Sequence, residues 1–214
     1  MSTVNQRILG SIIGLKKEFE EQYIALHNHT FPEVLDRIHQ SNISDYSIFL
    51  QDGVLFSHMV YAGFNYEADM KARSTDMSTM EWWKLTDAMQ QPLDYRKNNK
   101  WGAGISLWYS HALPIQAGEK VIRNTYRFSA PSGLEETVPD DHFGDIDFWG
   151  TTYGLKTLQI FRAVNEVFVY LETLKDSDHS FLLEILSRVL KAGVLPTAMQ
   201  EIFHTEHKNP GAVH

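Results

Sequence analysis

Tyr23 and His27 are the side chains whose types and spacing best suit proton transfer. They stand four residues apart, so a helix over residues 16–28 would project both from one face. An imidazole with an ordinary pKa of about 6.5 can both give and take protons at neutral pH. A phenol beside it can donate a hydrogen bond. The pair therefore predicts general acid–base chemistry.

The segment after His27 must end one helix and begin another. Pro32 has no amide hydrogen, and it disfavours helical geometry in the residue before it. Thr30, with Glu33 three residues later, has the pattern of a capping box for a helix ending near Gln40. His27 is therefore predicted to lie near a helix end, where its side chain can face a cavity.

Strands and two further helices are predicted around this pair. The predicted strands of the first half are residues 7–14, 46–50 and 54–62. Asp52-Gly53 is a strong hairpin pattern between the last two. Residues 66–73 form one predicted helix, and a second, capped by Ser78 and Glu81, carries the tandem tryptophans Trp82 and Trp83. Asp76, just before that helix, is interpreted as a turn or cap residue rather than a catalytic base.

The second half repeats this order of predicted strands and helices, with little sequence identity to the first half. Its predicted strands are residues 105–113, 155–161 and 166–171, and its predicted helices are residues 118–128, a segment ending near residue 192, and a short segment capped at Thr197. An acidic stretch, residues 129–154, is too long for an ordinary connection and is interpreted as an inserted loop. We predict two units, residues 1–95 and 101–207, joined by a polar linker.

Composition excludes several classes of protein. The chain has 214 residues, of which 43% are hydrophobic, which is enough for a sizeable core. A net charge of -8 argues against a nucleic-acid surface. There is no cysteine, so disulfides and thiolate chemistry are excluded. No secretion signal or membrane-length apolar run is found, and a cytoplasmic location is expected.

Metal-like groupings are weak. Asp140, Asp141, His142, Asp145 and Asp147 are rich in oxygen ligands, but a solvated acidic loop has this composition more often. His204 and His207 stand three apart in a polar tail, a spacing that rarely marks a metal site by itself. There is no dinucleotide fingerprint, phosphate loop or serine nucleophile motif. No metal and no cofactor are predicted.

One longer pattern resembles a known family. It consists of Tyr23, His27-Asn28, an aromatic residue before Pro32-Glu33, the strand YSIFL at residues 46–50, and Trp82-Trp83. Over residues 7–92 this resembles the L-rhamnose mutarotases, small ferredoxin-like proteins that pair their sheets into dimeric α/β barrels. Two features depart from the family: Phe31 replaces the usual tryptophan, and the chain is about twice the usual length.

The resemblance implies an α+β fold in which tandem ferredoxin-like units form an intramolecular, pseudo-dimeric α/β barrel. A fused chain of this kind would be a monomer or a homodimer, with one functional half. At the positions that the repeat aligns with the tandem tryptophans stand Glu201 and Ile202. No counterpart of His27 is found in the second half.

The resemblance also implies the site. His27 would transfer protons, with Tyr23 as its catalytic partner, and Tyr46 with the tandem tryptophans would line a sugar pocket. Asn28 is assigned to substrate binding. Adjacent tryptophans on a helix point about 100° apart, so we expect Trp82 or Trp83 to face the pocket while the other packs in the core.

The predicted function is interconversion of the α and β anomers of L-rhamnose or a related deoxy sugar by acid–base ring opening. One alternative is a non-catalytic carbohydrate-binding or regulatory protein, which the departure at Phe31 and the divergent second half favour. Another is a monooxygenase-like protein of the same barrel architecture, because fold does not fix function.

Overall fold

The computed structural model describes residues 6–93, 103–116, 118–129, 146–174, 179–192 and 196–207. The chain divides into two compact units, Met1–Gly104 with Glu201–His214, and Ile105–Gln200. In the described part of the chain, no helix is both long and apolar enough to cross a membrane.

The first unit begins with a strand and two consecutive helices, followed by a hairpin, two more helices and a short strand. These are β1 (Arg7–Leu15), a 3-10 turn (Lys17–Phe19), α1 (Glu20–Asn28), α2 (Pro32–Gln40), β2 (Ile43–Gln51), β3 (Val54–Tyr61), α3 (Tyr66–Ser74), α4 (Met77–Asp87) and β4 (Gln90–Gln91). The strands are antiparallel in the order β2-β3-β1-β4. Asp52 and Gly53 have positive φ angles of 48° and 69°, as the predicted hairpin requires.

The predicted capping box at the junction between α1 and α2 is wrong. Thr30 does not cap α2; its Oγ1 donates to the carbonyl oxygen of His27 at 3.0 Å, and Phe31 is the N-cap residue without a side-chain hydrogen bond. Pro32 occupies the first turn because the missing amide hydrogen is not needed there. The threonine hydroxyl therefore satisfies the end of α1, which fixes the backbone just after His27.

Asp76 caps α4, as predicted. Its carboxylate accepts hydrogen bonds from the amide and the hydroxyl of Thr79, both at 2.9 Å. These hydrogen bonds hold the pKa of Asp76 below its ordinary value. The prediction that Ser78 and Glu81 form the cap is wrong, because the helix begins earlier, at Met77.

The described residues of the second half form five strands and two helices. They are β5 (Ala103–Ala112), β6 (Ile122–Ser129), α5 (Ile146–Tyr153), β7 (Leu155–Arg162), β8 (Glu166–Thr173), α6 (Ser180–Val189) and β9 (Thr197–Glu206). In the second unit β6 pairs with β8, β8 with β7 and β7 with β5, all antiparallel. The first residues of β9 pair with β6, whereas its residues from Glu201 onward belong to the first unit.

Two helix predictions in the second half are wrong. Residues 118–128 are mostly strand β6, which pairs with β8 along its whole length. The supposed capping box at Thr197 begins strand β9, because ladder hydrogen bonds to a distant strand outweigh a local capping pattern. In the proposed inserted loop, residues 130–145 lie outside the described residues, and residues 146–153 form α5. Residues 94–102, in the region of the predicted linker, also lie outside the described residues.

Candidate functional site

A cavity of about 760 Å³ lies inside the first unit. Its walls come from β1, α1, α2, β2, β3, α3, α4, β4 and the end of β9. Five of the six predicted site residues line it: Tyr23, His27, Tyr46, Trp82 and Trp83. Asn28, the sixth, is exposed and is not part of the lining, because the helix turns its side chain away from the face that carries His27.

Helix α1 positions the proton-transfer pair. The rings of Tyr23 and His27 lie with centroids 4.2 Å apart, as expected for side chains one helical turn apart. Nδ1 of His27 is 2.9 Å from the carbonyl oxygen of Tyr23. A carbonyl oxygen only accepts hydrogen bonds, so Nδ1 carries the proton. In the neutral ring Nε2 then has the free lone pair.

Aromatic side chains surround this imidazole. Trp82 meets it edge-on with ring centroids 5.2 Å apart, and Phe203 does so at 5.7 Å. His27 is only 7% exposed. Burial lowers its pKa to about 4, although the hydrogen bond to Tyr23 acts in the opposite direction. At neutral pH His27 is therefore a neutral base.

Burial of His27 couples protein stability to pH. In the unfolded chain His27 binds a proton below its ordinary pKa of about 6.5, whereas in the folded chain it does so only below a pKa of about 4. We expect the free energy of unfolding to be level for this group above pH 6.5. It should fall by about 3 kcal/mol as the pH is lowered to 4.

Urea denaturation of wild type and His27→Asn at several pH values between 4 and 7 would measure this effect. The variant should lose about 3 kcal/mol of the pH dependence over that interval. Equal pH slopes in both proteins would contradict the assignment.

The hydroxyl of Tyr23 is a donor and not a base. Nε2 of Gln90 on β4 donates to it at 2.9 Å, which leaves the phenolic proton free to be donated. Burial, and secondarily the neighbouring Tyr46 and Asp87, raise the pKa of Tyr23 above its ordinary value. The phenol therefore stays protonated throughout the pH range in which proteins are folded.

Asp87 is a functional candidate that the sequence reading did not identify. It is the last residue of α4 and lines the cavity. Burial raises its pKa to about 6, so its carboxyl group carries a proton in mildly acidic solution. It stands four residues after Trp83 and therefore on the same helix face. That spacing could have indicated it.

Tryptophans and strand residues complete the lining of the cavity. Trp82 is 6% exposed and packs against both His27 and, at 5.3 Å, Phe31. Trp83 is less buried, and it also lines the cavity. The prediction that one tryptophan turns away is therefore wrong.

Phe203 of β9 also lines the cavity, and the sequence did not indicate it. Its ring lies 5.8 Å from that of Tyr46. It reaches the cavity through strand pairing that its local sequence does not reveal.

The second unit has a histidine in comparable surroundings but little space. His179 lies 2.9 Å from the hydroxyl of Tyr126 and beside a cavity of about 10 Å³ that Trp149 and Tyr153 help to close. A space of that size holds about one water molecule. A sugar ring does not fit there.

The described residues contain no group of three or more His, Cys, Asp or Glu side chains able to hold a metal ion. His204 lies 3.0 Å from the hydroxyl of Ser47, and His207 stacks on His39 at 4.8 Å. The acidic residues at positions 140, 141 and 145, with the histidine at 142, lie outside the described residues, whereas Asp147 is in α5.

Comparison with protein families gives a match to the first half of the chain. Residues 9–109 match the family model for L-rhamnose mutarotase, which confirms the resemblance seen in the sequence. The match stops near the start of the second unit, so the fused second half stays a prediction. No curated protein matches the chain.

Solved structures resemble the fold over nearly the whole chain. A candidate monooxygenase from Fusobacterium nucleatum subsp. nucleatum has a TM-score of 0.53 and 10% identity, with 96% of each chain covered. Another from Lactobacillus acidophilus has a TM-score of 0.50 and 8% identity, covering 93% of this chain and 96% of that one. At this identity the likeness shows the fold alone. The predicted class, α+β with tandem ferredoxin-like units forming an α/β barrel, is confirmed.

Proposed function

From the match of residues 9–109 to the L-rhamnose mutarotase family, we propose that this protein is a mutarotase. It interconverts the α and β anomers of L-rhamnose or a related deoxy sugar. The observation that supports this most strongly is that His27, Asp87, Tyr23 and two tryptophans line one cavity. Its volume of about 760 Å³ lies within the usual range for small-molecule sites.

Exchange of anomers requires two proton transfers. Nε2 of His27 removes the proton of the anomeric hydroxyl while the carboxyl group of Asp87 protonates the ring oxygen. The bond between the anomeric carbon and the ring oxygen breaks, and the anomeric oxygen becomes the aldehyde carbonyl. After rotation about the C1–C2 bond, Asp87 takes its proton back from the former ring oxygen as that oxygen attacks the other face of the aldehyde, and His27 returns its proton to the anomeric oxygen. Protons balance over the cycle.

The two groups have different proton affinities, and this difference assigns their roles. His27 is neutral above a pKa of about 4, and Asp87 is protonated below a pKa of about 6. Pairs of titratable groups whose environments separate their pKa values are typical of acid–base sites. Ring opening transfers protons and breaks a C–O bond without any change of oxidation state, so the proposed steps require no oxidant or reductant.

The aromatic residues position the sugar. Indole faces suit the C–H side of a pyranose and the methyl group of a deoxy sugar, which is the role proposed for Trp82 and Trp83. Tyr23 donates a hydrogen bond where negative charge develops on oxygen, and Tyr46 is proposed as a further contact. Asn28 is not proposed as a contact, since it lies outside the cavity lining.

Saturation-transfer NMR on the anomeric protons of L-rhamnose tests the proposal. The exchange rate should rise in proportion to protein concentration, because a mutarotase shortens the lifetime of each anomer. Sugar binding without faster exchange would refute the enzyme and favour a carbohydrate-binding protein instead. Oxygen consumption with an aromatic substrate, in the absence of sugar exchange, would favour the monooxygenase alternative.

A further inference from the structure

Arg73 lies in the wall of the cavity, in the last turn of α3. Its guanidinium carbon is 5.9 Å from the centre of the Tyr46 ring and 5.8 Å from that of Trp83. Both rings belong to the proposed sugar site. An arginine held against aromatic faces keeps its edge, where all N–H groups point outward, available for a partner.

One donor on that edge, Nε, is not satisfied within the described part of the chain. Nε of Arg73 is buried and has no hydrogen-bond partner there. A buried N–H group is unfavourable unless an acceptor meets it, and an anion is the strongest acceptor for a guanidinium. The site therefore favours a ligand that brings a negative charge to Arg73.

The charges of the side chains that line the cavity also favour a negatively charged ligand. Arg73 and Lys84 are the cationic residues of the lining and Asp87 is its acidic residue. His27 is neutral and Asp87 is partly protonated near pH 6, so the lining carries an excess of positive charge. This excess occurs in a chain whose net charge is -8. Such local complementarity points to an anionic ligand.

We propose that the cavity binds sugars that carry a carboxylate, that is hexuronates, with the carboxylate on the edge of Arg73. The planar fork of a guanidinium matches a carboxylate with two parallel hydrogen bonds. A phosphate group can also pair with a guanidinium fork, so a sugar phosphate is included in the test below. The orientation of the sugar ring toward His27 rests on the proposed function, whereas recognition of the carboxylate does not.

Calorimetric titration and anomer-exchange NMR with matched sugars test this inference. The panel pairs each of D-galacturonate, D-glucuronate and D-mannuronate with the 6-deoxyhexose of the same ring configuration, and adds L-rhamnose and glucose 6-phosphate. At least one hexuronate should bind about 10- to 100-fold more tightly than its neutral counterpart, because the hydrogen bonds to Arg73 are charge-assisted. Arg73→Gln should remove that difference while neutral sugars change by less than about threefold.

Two further variants separate recognition from general charge effects. Lys71→Gln removes a positive charge from an exposed position of the same helix, outside the cavity lining, and should leave the preference for hexuronates intact. Arg73→Lys should retain part of the preference, since it keeps the charge and loses the fork. Thermal unfolding of each variant checks that the fold is unchanged.

The outcomes are distinct. If L-rhamnose exchange is accelerated but no hexuronate binds better than its neutral counterpart, this inference is overturned and the mutarotase proposal stands. If a hexuronate binds through Arg73 but no sugar exchanges faster, the inference stands and the mutarotase proposal fails. Stronger binding of glucose 6-phosphate than of any hexuronate would overturn the choice of a carboxylate. If Arg73→Gln weakened the binding of all sugars equally, Arg73 would have a structural role, and the inference would also be overturned.

Discussion

The variant His27→Asn is expected to lower the protein-catalysed exchange of L-rhamnose anomers by about 100- to 10,000-fold, the usual contribution of a general acid–base group. Asparagine has an amide that can replace the Nδ1 donor to the carbonyl oxygen of Tyr23, but it has no counterpart of the Nε2 lone pair. The loss should therefore reflect missing proton transfer. Exchange rates from saturation-transfer NMR at saturating sugar would measure it.

A neighbouring histidine provides a matched control. His29 makes the same type of hydrogen bond, with Nδ1 3.0 Å from the carbonyl oxygen of Ala25, but it is exposed and outside the cavity lining. His29→Asn should therefore leave the exchange rate within about twofold of wild type. If His27→Asn retained the wild-type rate, the imidazole would have no part in the mechanism.

The pH dependence of exchange should be bell-shaped, and Asp87 should set its upper limb. Below a pKa of about 4 His27 is protonated and cannot accept the anomeric proton, and above a pKa of about 6 Asp87 has lost the proton that it donates. The rate at low sugar concentration, which reports the free protein, should therefore be greatest between these values. It should fall by about tenfold for each pH unit above the upper pKa.

Asp87→Asn tests this assignment. Its side chain is similar in size but does not titrate, so the upper limb should disappear and the maximal rate should fall by about 100-fold or more. Asp52→Asn is the control, because this residue lies in the hairpin turn with a positive φ of 48°, a conformation that asparagine tolerates. An upper limb that persists in Asp87→Asn would assign it to another group.

Local sequence was sufficient for much of the first unit. The spacing of Tyr23 and His27 on α1, the Asp52-Gly53 turn, the α4 helix with its tandem tryptophans and the cap at Asp76 follow from short-range geometry. The structure retains each of them. The resemblance to L-rhamnose mutarotases rests on the same residues, and the family match confirms it for residues 9–109.

Local patterns failed where distant partners decided the backbone. The capping-box pattern at Thr197 and the supposed helix over residues 118–128 both describe segments that are strands. Each is stabilised by ladder hydrogen bonds to strands remote in sequence, which no local spacing reveals. As a result the sequence placed Ile202 on a helix, and it could not indicate that Phe203 reaches the ring of His27.

The sequence by itself determined which side chains share a helix face. It thereby determined that the His27 imidazole lies beside the Tyr23 phenol on one helix, and that two adjacent tryptophans lie on another. Only the tertiary structure decided what those groups do chemically. The pKa of His27 falls and that of Asp87 rises because burial in the folded first unit removes much of their contact with water. Likewise, Nε of Arg73 is buried without a hydrogen-bond partner among the described residues only when α3 is folded beside Tyr46 and Trp83. Desolvation depends on every segment that surrounds a group, so it cannot be inferred from the residues adjacent in the chain.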